Sequence, residues 1–308
     1  MKGEVTVIIP CYNVEAYIHE CLDSVVLQGD VVHHIYVVDN NSNDETVDTV
    51  RRWQNVNPTS PLTLLSQTKP GAPAARNLPL SRVETKWVQF LDADDLLLPG
   101  KIEDQIRQFP KADVICAGFQ RVYLHGEKTT VPLTRNIPLA LMQGKAGITS
   151  SNLFSTEIVQ SVMGWDESLK SSQEYDLMFR VWQTRATFEV DLTPRALIRE
   201  RQSGQISQGD LAANWTRLIQ LRERMLTVYL ENSAIDDNQK SELCQSFFDK
   251  LRILARHDLT TALGHFHRVL KPISFSPQPS EATTSTYILL FRILGFRWAE
   301  RIKQALNL

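Results

Sequence analysis

The chain has 308 residues, of which 43% are hydrophobic and 22% are charged, so it is long enough to bury a large core. A formal net charge of −2 and a sequence pI near 6.4 give no general attraction for nucleic acid, and we expect no nucleic-acid partner. The four cysteines show no metal-ligand spacing, and we expect no signal peptide, because a predicted strand begins close to the N-terminus. We therefore expect reduced thiols and a cytoplasmic location. The chain has no uninterrupted run of ~20 apolar residues, so we expect no membrane span.

Strands and helices are predicted to alternate from Val5 to Phe109. Short β-branched or apolar runs predict strands at 5–9, 35–38, 62–65 and 87–91. Apolar residues at helical spacing predict helices after the first, second and fourth of these strands, and a short helix lies at 74–80. Ser42 and Glu45 predict a capping box at the start of the second helix. This alternation indicates an α/β fold with a mostly parallel sheet flanked by helices.

The second half of the chain has a weaker pattern, and 125–151 is expected to be loop-rich. Strands are predicted at 114–119 and 122–124, a helix at 174–185, and two more strands at 188–192 and 196–199. Beyond them the pattern is helical. We expect a sheet domain at 1–210 and a helical extension at 211–270. A linker with several prolines would follow at 271–285, and a C-terminal amphipathic helix at 286–308.

An acidic cluster, Asp92-Ala93-Asp94-Asp95, follows the fourth predicted strand directly. Ligands of open α/β sheets bind outside the carboxyl ends of the strands, so this is a place to look for a site. Carboxylates are hard oxygen ligands, and Mg²⁺ or Mn²⁺ on such a cluster often bridges to the phosphates of a substrate. The cluster therefore indicates a diphosphate held through a metal, or else an acidic turn that caps the next helix.

Other residues at the same sheet edge have a functional and a structural interpretation. After the first strand the chain has Pro10-Cys11-Tyr12-Asn13 rather than a glycine-rich turn, which disfavours a nicotinamide dehydrogenase. Tyr12 either stacks on a base or packs in the ordinary way. Asn13 and Asp39 either bond to base and ribose edges or serve as caps in turns.

Four ordered motifs carry a family resemblance: VTVIIPCYN at 5–13, VVDNNSNDET at 37–46, ARN at 75–77 and FLDADD at 90–95. They resemble the motifs of family 2 glycosyltransferases of the GT-A fold. The resemblance continues through GWDESL at 164–169 and QEYDL at 173–177, and it ends near residue 207. It implies a GT-A-like, nucleotide-diphospho-sugar transferase fold. The implied activity is inverting transfer of a sugar, from a UDP-linked donor, to a hydroxyl of a saccharide or lipid-linked acceptor in cell-surface polysaccharide or glycoconjugate synthesis.

The resemblance also assigns roles at the donor site. The nucleotide-sugar site would consist of one group of residues, namely Pro10, Tyr12, Asn13, Asp39, Arg76, Asp92, Ala93 and Asp94. Within it Asp39 would meet the uracil edge, and Asp92 and Asp94 would hold Mn²⁺ or Mg²⁺. Arg76 either meets phosphate or forms a structural bridge. Asn40 stands where relatives often carry a second Asp.

On the acceptor side, the resemblance makes Glu174 the catalytic base, at the second position of the Gln173-Glu174 pair. The structural alternative is a Glu favoured by the helix dipole. Trp165 and Asp166 would lie beside the acceptor, with Trp165 either a stacking platform for a sugar or a packed core residue. A basic, hydroxyl-rich loop would close over the diphosphate, with Arg199, Arg201, Ser203 and Ser207.

The last predicted helix has an apolar stripe with arginines between its members, made by Tyr287, Leu290, Phe291, Leu294, Trp298 and Ile302. This composition indicates peripheral contact with an anionic membrane on the inner face, or packing on the protein itself or on a second copy. For the activity, two rivals stay open. One is a sugar-phosphate nucleotidyltransferase, and the other is a catalytically silent nucleotide-sugar-binding module.

Overall fold

The structure is a computed structural model that describes residues 2–201 and 211–306. The chain divides into two compact units. The first comprises Met1–Ile137 with Gly144–Gly204, and the second comprises Pro138–Gln143 with Gln205–Leu308. The domain boundary expected at residue 210 lies outside the described residues.

The strands of the first unit are β1 (Val5–Cys11), β2 (Val32–Asp39), β3 (Leu62–Ser66), β4 (Trp87–Phe90), β5 (Leu96–Leu97), β6 (Val114–Ala117), β7 (Phe119–Val122), β8 (Lys128–Val131), β9 (Leu153–Ser155), β10 (Phe188–Asp191) and β11 (Ala196–Arg199). A seven-stranded sheet has the order β10-β6-β9-β4-β1-β2-β3, and a four-stranded sheet has the order β5-β11-β7-β8. The larger sheet is parallel except for β9, which runs antiparallel to β4 and β6. The predicted mostly parallel sheet is confirmed.

The helices are α1 (Ile18–Val26), α2 (Thr46–Val56), α3 (Ala72–Asn77), α4 (Lys101–Gln108), α5 (Ile137–Gln143), α6 (Thr156–Ser161), α7 (Gln173–Gln183), α8 (Leu211–Glu231), α9 (Asp237–Ala255), α10 (Leu259–His265) and α11 (Ser285–Leu306). The core of the first unit explains the apolar runs in the sequence. Ile8 and Ile9 on β1 are both fully buried although they point to opposite faces, because layers cover both sides of the sheet. Trp53 of α2 also ties the helical layer together, since its Nε1 donates to Asp23 Oδ1 of α1 at 2.8 Å.

One local prediction was wrong, and a second was only partly right. The capping box does not form, because Ser42 Oγ accepts the Asn13 N–H at 3.1 Å instead. A backbone N–H in the first turn of α2 bonds to a different side chain, since Asp44 Oδ1 accepts the Thr46 N–H at 3.0 Å. The stretch 125–151, expected to be loop-rich, contains β8 and α5.

The carboxyl ends of β1, β2 and β4 lie at one edge of the sheet, because these strands are parallel neighbours. This topology brings the segments after Cys11, Asp39 and Phe90 together. An open cleft of about 490 Å³ lies at the opposite edge, where it is lined by residues that precede β4 and β6. None of the expected site residues lines that cleft, so the candidate site lies at the carboxyl edge of the sheet.

The helices of the second unit pack around aromatic side chains. Phe248 of α9 lies near the centre, with ring centroids 6.3 Å from Phe266 and 5.2 Å from Phe275. The terminal helix was expected to be continuous, but α11 is broken at Gly295, where φ is +72°. Within residues 2–201 and 211–306, no helix combines the length and apolar character that a membrane crossing requires. All four cysteines are free and buried.

Candidate active site

The acidic loop after β4 is fixed in place by its last carboxylate. Asp95 is buried, and its Oδ2 accepts a hydrogen bond from Ser150 Oγ at 2.6 Å while its Oδ1 accepts the Arg199 N–H at 3.1 Å. Ser150 Oγ in turn accepts the Asp92 N–H at 3.1 Å. The next helix, α4, begins after Gly100 without a side-chain cap. The acidic cluster is therefore a loop that is fixed by hydrogen bonds to Ser150 and Arg199, and it does not cap α4.

Asp92 and Asp94 keep part of their side chains exposed, at 34% and 17%. Arg76 Nη2 lies 2.6 Å from Asp92 Oδ1, and Arg201 Nη1 lies 3.8 Å from Asp94 Oδ2. Burial and the nearby charge of Asp92 raise the pKa of Asp94. This repulsion is a physical reason for a further cation at the site.

The side chains present fit a hard divalent cation as a partial ligand set. Among the described residues, no three His, Cys, Asp or Glu side chains form a group that could hold a metal ion on their own. Asp92 and Asp94 offer two carboxylates, and Mg²⁺ in particular binds through one or two carboxylates together with substrate phosphates and water. Phosphates and water would have to supply the other ligands of such a cation, and the binding of a metal by these two residues stays a prediction.

Arg76 is a buried bridge across the site. Besides its ion pair with Asp92, its Nη1 donates to Gln173 Oε1 at 3.3 Å, and its guanidinium carbon lies 4.4 Å from the centre of the Trp165 ring. The bridge therefore joins the acidic loop to the N-terminus of α7. These contacts are the ones expected of a structural bridge, and a contact of Arg76 with phosphate stays a prediction.

The stacking platform expected at Trp165 is corrected by its burial. Trp165 is only 2% exposed, because Arg76 covers its face and Phe90 meets it edge-on with ring centroids 5.1 Å apart. Asn77 fixes the backbone by accepting the Trp165 N–H at 2.9 Å and donating to the Trp165 carbonyl at 2.8 Å. No face of the ring is left for a sugar, so Trp165 supports the arginine instead. Its neighbour Asp166 accepts from Ser168 in a turn, and its acceptor-side role stays a prediction.

Glu174 lies in the first turn of α7 and is partly buried. Its Oε2 accepts a hydrogen bond from Thr149 Oγ1 at 2.7 Å. Burial raises the pKa of Glu174, the charge of Asp92 raises it further, and the Thr149 bond acts against both. A raised pKa makes the carboxylate a stronger proton acceptor, as a general base requires. Asp176, two residues further along α7, is buried and accepts a hydrogen bond from Arg180 Nε at 2.8 Å.

The segment after β1 offers an exposed aromatic ring and a fixed turn. Tyr12 is 56% exposed, so its ring is available to a ligand, and Pro10 is half-buried. Asn13 has φ +50°, and its Oδ1 accepts the Asn43 N–H at 2.8 Å. Asp39 is nearly buried at the end of β2, in the same layer of loops. Asn13 therefore joins the turn after β1 to the segment at Asn43.

The side chain of Asn40 makes three hydrogen bonds to the loop from Gln67 to Gly71. Its Nδ2 donates to the carbonyls of Gln67 at 2.7 Å and Lys69 at 2.8 Å, and its Oδ1 accepts the Gly71 N–H at 2.7 Å. A carboxylate has no N–H to donate to the two carbonyls. The Asn that stands where relatives often carry Asp therefore serves the loop from Gln67 to Gly71.

Sequence reasoning missed Thr149 and Ser150, which hold Glu174 and the acidic loop. They belong to a buried polar run, Thr149-Ser150-Ser151-Asn152, whose composition is that of an exposed loop. Arg199 and Arg201 were expected near the diphosphate, and their guanidinium carbons lie 5.1 and 5.3 Å from the ring centre of Tyr17. Ser203 and Ser207 lie outside the described residues.

Comparison with known proteins identifies the family and the fold of this chain. The sequence model described as Glycosyl transferase family 2 matches residues 6–165, just over half of the chain. An uncharacterized glycosyltransferase of Rickettsia bellii is 25% identical over 255 residues, which cover 75% of this chain and 35% of that protein. Chondroitin synthase of Pasteurella multocida is 29% identical over 107 residues, which cover 35% of this chain and 11% of the synthase.

A crystal structure of S. aureus TarS 1-349 in complex with UDP-GlcNAc has a similar fold, with a TM-score of 0.70 and 17% identity. The match covers 99% of this chain and 92% of that one. The fold is thus GT-A-like, as expected from the sequence. The chain belongs to glycosyl transferase family 2. It spans between 14% and 60% of the length of the first curated relatives that it matches.

Proposed function

We propose that this protein transfers a sugar from a UDP-linked donor to a hydroxyl of a saccharide or lipid-linked acceptor, with inversion, in cell-surface polysaccharide or glycoconjugate synthesis. The observation that carries the proposal is the arrangement of Asp92, Asp94 and Glu174. Arg76 connects the acidic loop to the helix of Glu174, and the charge of Asp92 acts on the pKa of Glu174. These contacts support a single site that would hold both the donor diphosphate and the acceptor base.

In the proposed reaction the acceptor hydroxyl oxygen attacks the anomeric carbon in a single displacement. Glu174 takes the hydroxyl proton, the new glycosidic bond forms, and the bond to the diphosphate breaks with its electron pair leaving on the phosphate oxygen. Thr149 keeps the carboxylate oriented, since its hydroxyl donates to Glu174 Oε2. Attack from the face opposite the leaving group inverts the anomeric centre.

The donor side of the proposal rests on the carboxyl edge of the sheet. Asp92 and Asp94 would hold Mn²⁺ or Mg²⁺, and a bound cation would stabilise the charge of the departing diphosphate. The exposed ring of Tyr12 would stack on the base, and Asp39 at the end of β2 would meet the uracil edge. A UDP-linked sugar is favoured as donor because TarS, with the same fold, was solved with UDP-GlcNAc. The polysaccharide acceptor is favoured by the similarity to chondroitin synthase.

The experiment measures UDP release from a panel of UDP-sugars with Mn²⁺, with and without saccharide acceptors. Selective donors are found first by thermal shift, because ligand binding stabilises the folded state in proportion to the logarithm of ligand concentration over Kd. Glu174→Gln removes the base, and we expect turnover to fall about 10²- to 10⁴-fold with donor binding retained. Glu157→Gln, which changes an exposed glutamate of α6, is the matched control and keeps the wild-type rate.

Equal turnover by wild type, Glu174→Gln and Asp94→Ala would remove the assignment. Binding of a UDP-sugar by the wild type without any turnover would favour the silent module. Release of pyrophosphate from a nucleoside triphosphate and a sugar phosphate would favour the nucleotidyltransferase.

A further inference from the structure

The inner face of α11 is packed within the second unit. The ring of Phe248 lies 6.2 Å from Tyr287, 5.5 Å from Phe291 and 5.4 Å from Phe296, measured between centroids. Glu300 is buried and accepts from Arg252 Nε at 2.8 Å. These contacts lie on both sides of the break at Gly295, so they fix the orientation of both helical segments.

The outer face of α11 carries large apolar side chains. It is formed by four residues that are 41–68% exposed, namely Leu289, Ile293, Leu294 and Trp298. Two members of the stripe expected from the sequence, Tyr287 and Phe291, point inward instead. Single exposed apolar residues are normal on a protein surface, but four within ten positions form a patch that indicates a binding surface.

The charge on this face has one sign. Arg292, Arg297 and Arg301 are exposed on α11, and the guanidinium carbon of Arg301 lies 5.2 Å from the ring centre of Trp298. Glu300 is the helix's one acidic residue, and it is buried against Arg252. The outer face therefore joins apolar side chains with uncompensated positive charge, although the whole chain has a net charge of −2.

This combination fits the surface of an anionic bilayer. Apolar side chains with tryptophan enter the headgroup boundary, while arginines interact with anionic lipid headgroups. Each segment of α11 is short, since the ten residues from Ser285 to Leu294 extend about 15 Å at 1.5 Å per residue. A two-fold contact with a second copy through this face would instead bring equal sets of arginines together.

We propose that the outer face of α11 docks the protein on an anionic lipid surface, with the helix lying in the plane of the membrane. The break at Gly295 places exposed apolar residues on both segments, so both segments contact the lipid. This docking is independent of the glycosyl transfer proposed above.

The test is co-sedimentation of the full chain with phosphatidylcholine vesicles, with and without phosphatidylglycerol. Wild-type protein is expected to pellet with the anionic vesicles and to be released by high salt. Replacing Arg292, Arg297 and Arg301 together with Ser should weaken binding about a hundredfold, at about fivefold for each arginine near the surface. The matched control replaces Arg51 and Arg52 of α2, which are exposed arginines elsewhere, and keeps wild-type binding.

A second set of variants tests the apolar part. Ile293→Ser with Leu294→Ser should reduce binding at least tenfold, whereas Leu27→Ser with Val56→Ser, at exposed positions of the first unit, should not. On vesicle binding the tryptophan emission should shift to the blue, and Trp298→Phe should abolish the shift while binding is kept. Unchanged melting temperatures show that the variants fold.

Three results would overturn the proposal. One is a wild-type protein that does not pellet with anionic vesicles. Another is equal binding by wild type and the triple arginine variant. The third is a wild-type dimer, measured by light scattering, that the apolar variant converts to a monomer without a change in vesicle binding, because the face would then serve a second copy.

Discussion

Asn40→Asp is expected to destabilise the first unit, because the amide nitrogen of Asn40 has a specific task. It donates to the carbonyls of Gln67 and Lys69 at 2.7 and 2.8 Å. A carboxylate at the same place turns these two attractive contacts into contacts between acceptors. The bond from the Gly71 N–H to the other side-chain oxygen is kept.

The size of the effect follows from the two lost bonds. Each is worth about 1 kcal/mol net, and an acceptor left without a donor costs about 1–3 kcal/mol when buried. Asn40 is itself buried, but Lys69 is exposed, so water offsets part of the loss. We expect a decrease of about 2–4 kcal/mol in the free energy of unfolding, which is a large share of the total stability of a typical domain.

The assay is urea unfolding at neutral pH, with Asn41→Asp as the matched control. Asn41 is exposed and its Nδ2 makes longer bonds of 3.2 and 3.4 Å to the same loop, so its replacement should cost less than about 1 kcal/mol. Both variants add one negative charge beside Asp39. Equal stability of the two variants would refute the role assigned to the Asn40 amide.

Two further predictions concern the other side of the site. Thr149→Val removes the hydrogen bond that lowers the pKa of Glu174. Because the base acts in its deprotonated form, the acid limb of the pH profile of kcat/KM should move to higher pH. An acid limb that does not move would contradict the role of Glu174 as the base. Gly164→Ala should destabilise the protein by at least about 2 kcal/mol in urea unfolding, because the position has φ +67° and a Cβ would lie 2.5 Å from Asn77 Oδ1. Gly29→Ala, with φ +72° and open space, should cost only about 1 kcal/mol, and equal losses would remove the steric argument.

The sequence allowed the parallel part of the sheet to be predicted for a physical reason. Strands that are buried on both faces are largely apolar, so β1, β4 and the second half of β2 stand out as apolar runs, and their carboxyl ends mark the candidate site. The family motifs lie at those ends. For this reason Asp92 and Asp94 could be assigned to one site before any contact was known.

Features that depend on contacts between distant segments could not be predicted in the same way. The buried polar residues Thr149 and Ser150 are stabilised by Glu174 and by the acidic loop, whereas their sequence is typical of a surface turn. The burial of Trp165 depends on Arg76 and Phe90, which lie far away in the chain. Periodicity carries no information on such contacts.

In the proposed donor site, Asp92 and Asp94 bind UDP through a shared cation. Calorimetric titration of UDP, in Mn²⁺ and in EDTA, tests it directly for wild type and Asp94→Asn, because two ligands that share a site must change each other's affinity. We predict that Mn²⁺ tightens UDP binding at least tenfold in the wild type and has no such effect in Asp94→Asn. Equal UDP affinity of the wild type with and without Mn²⁺ would rule out a cation shared by Asp94 and UDP.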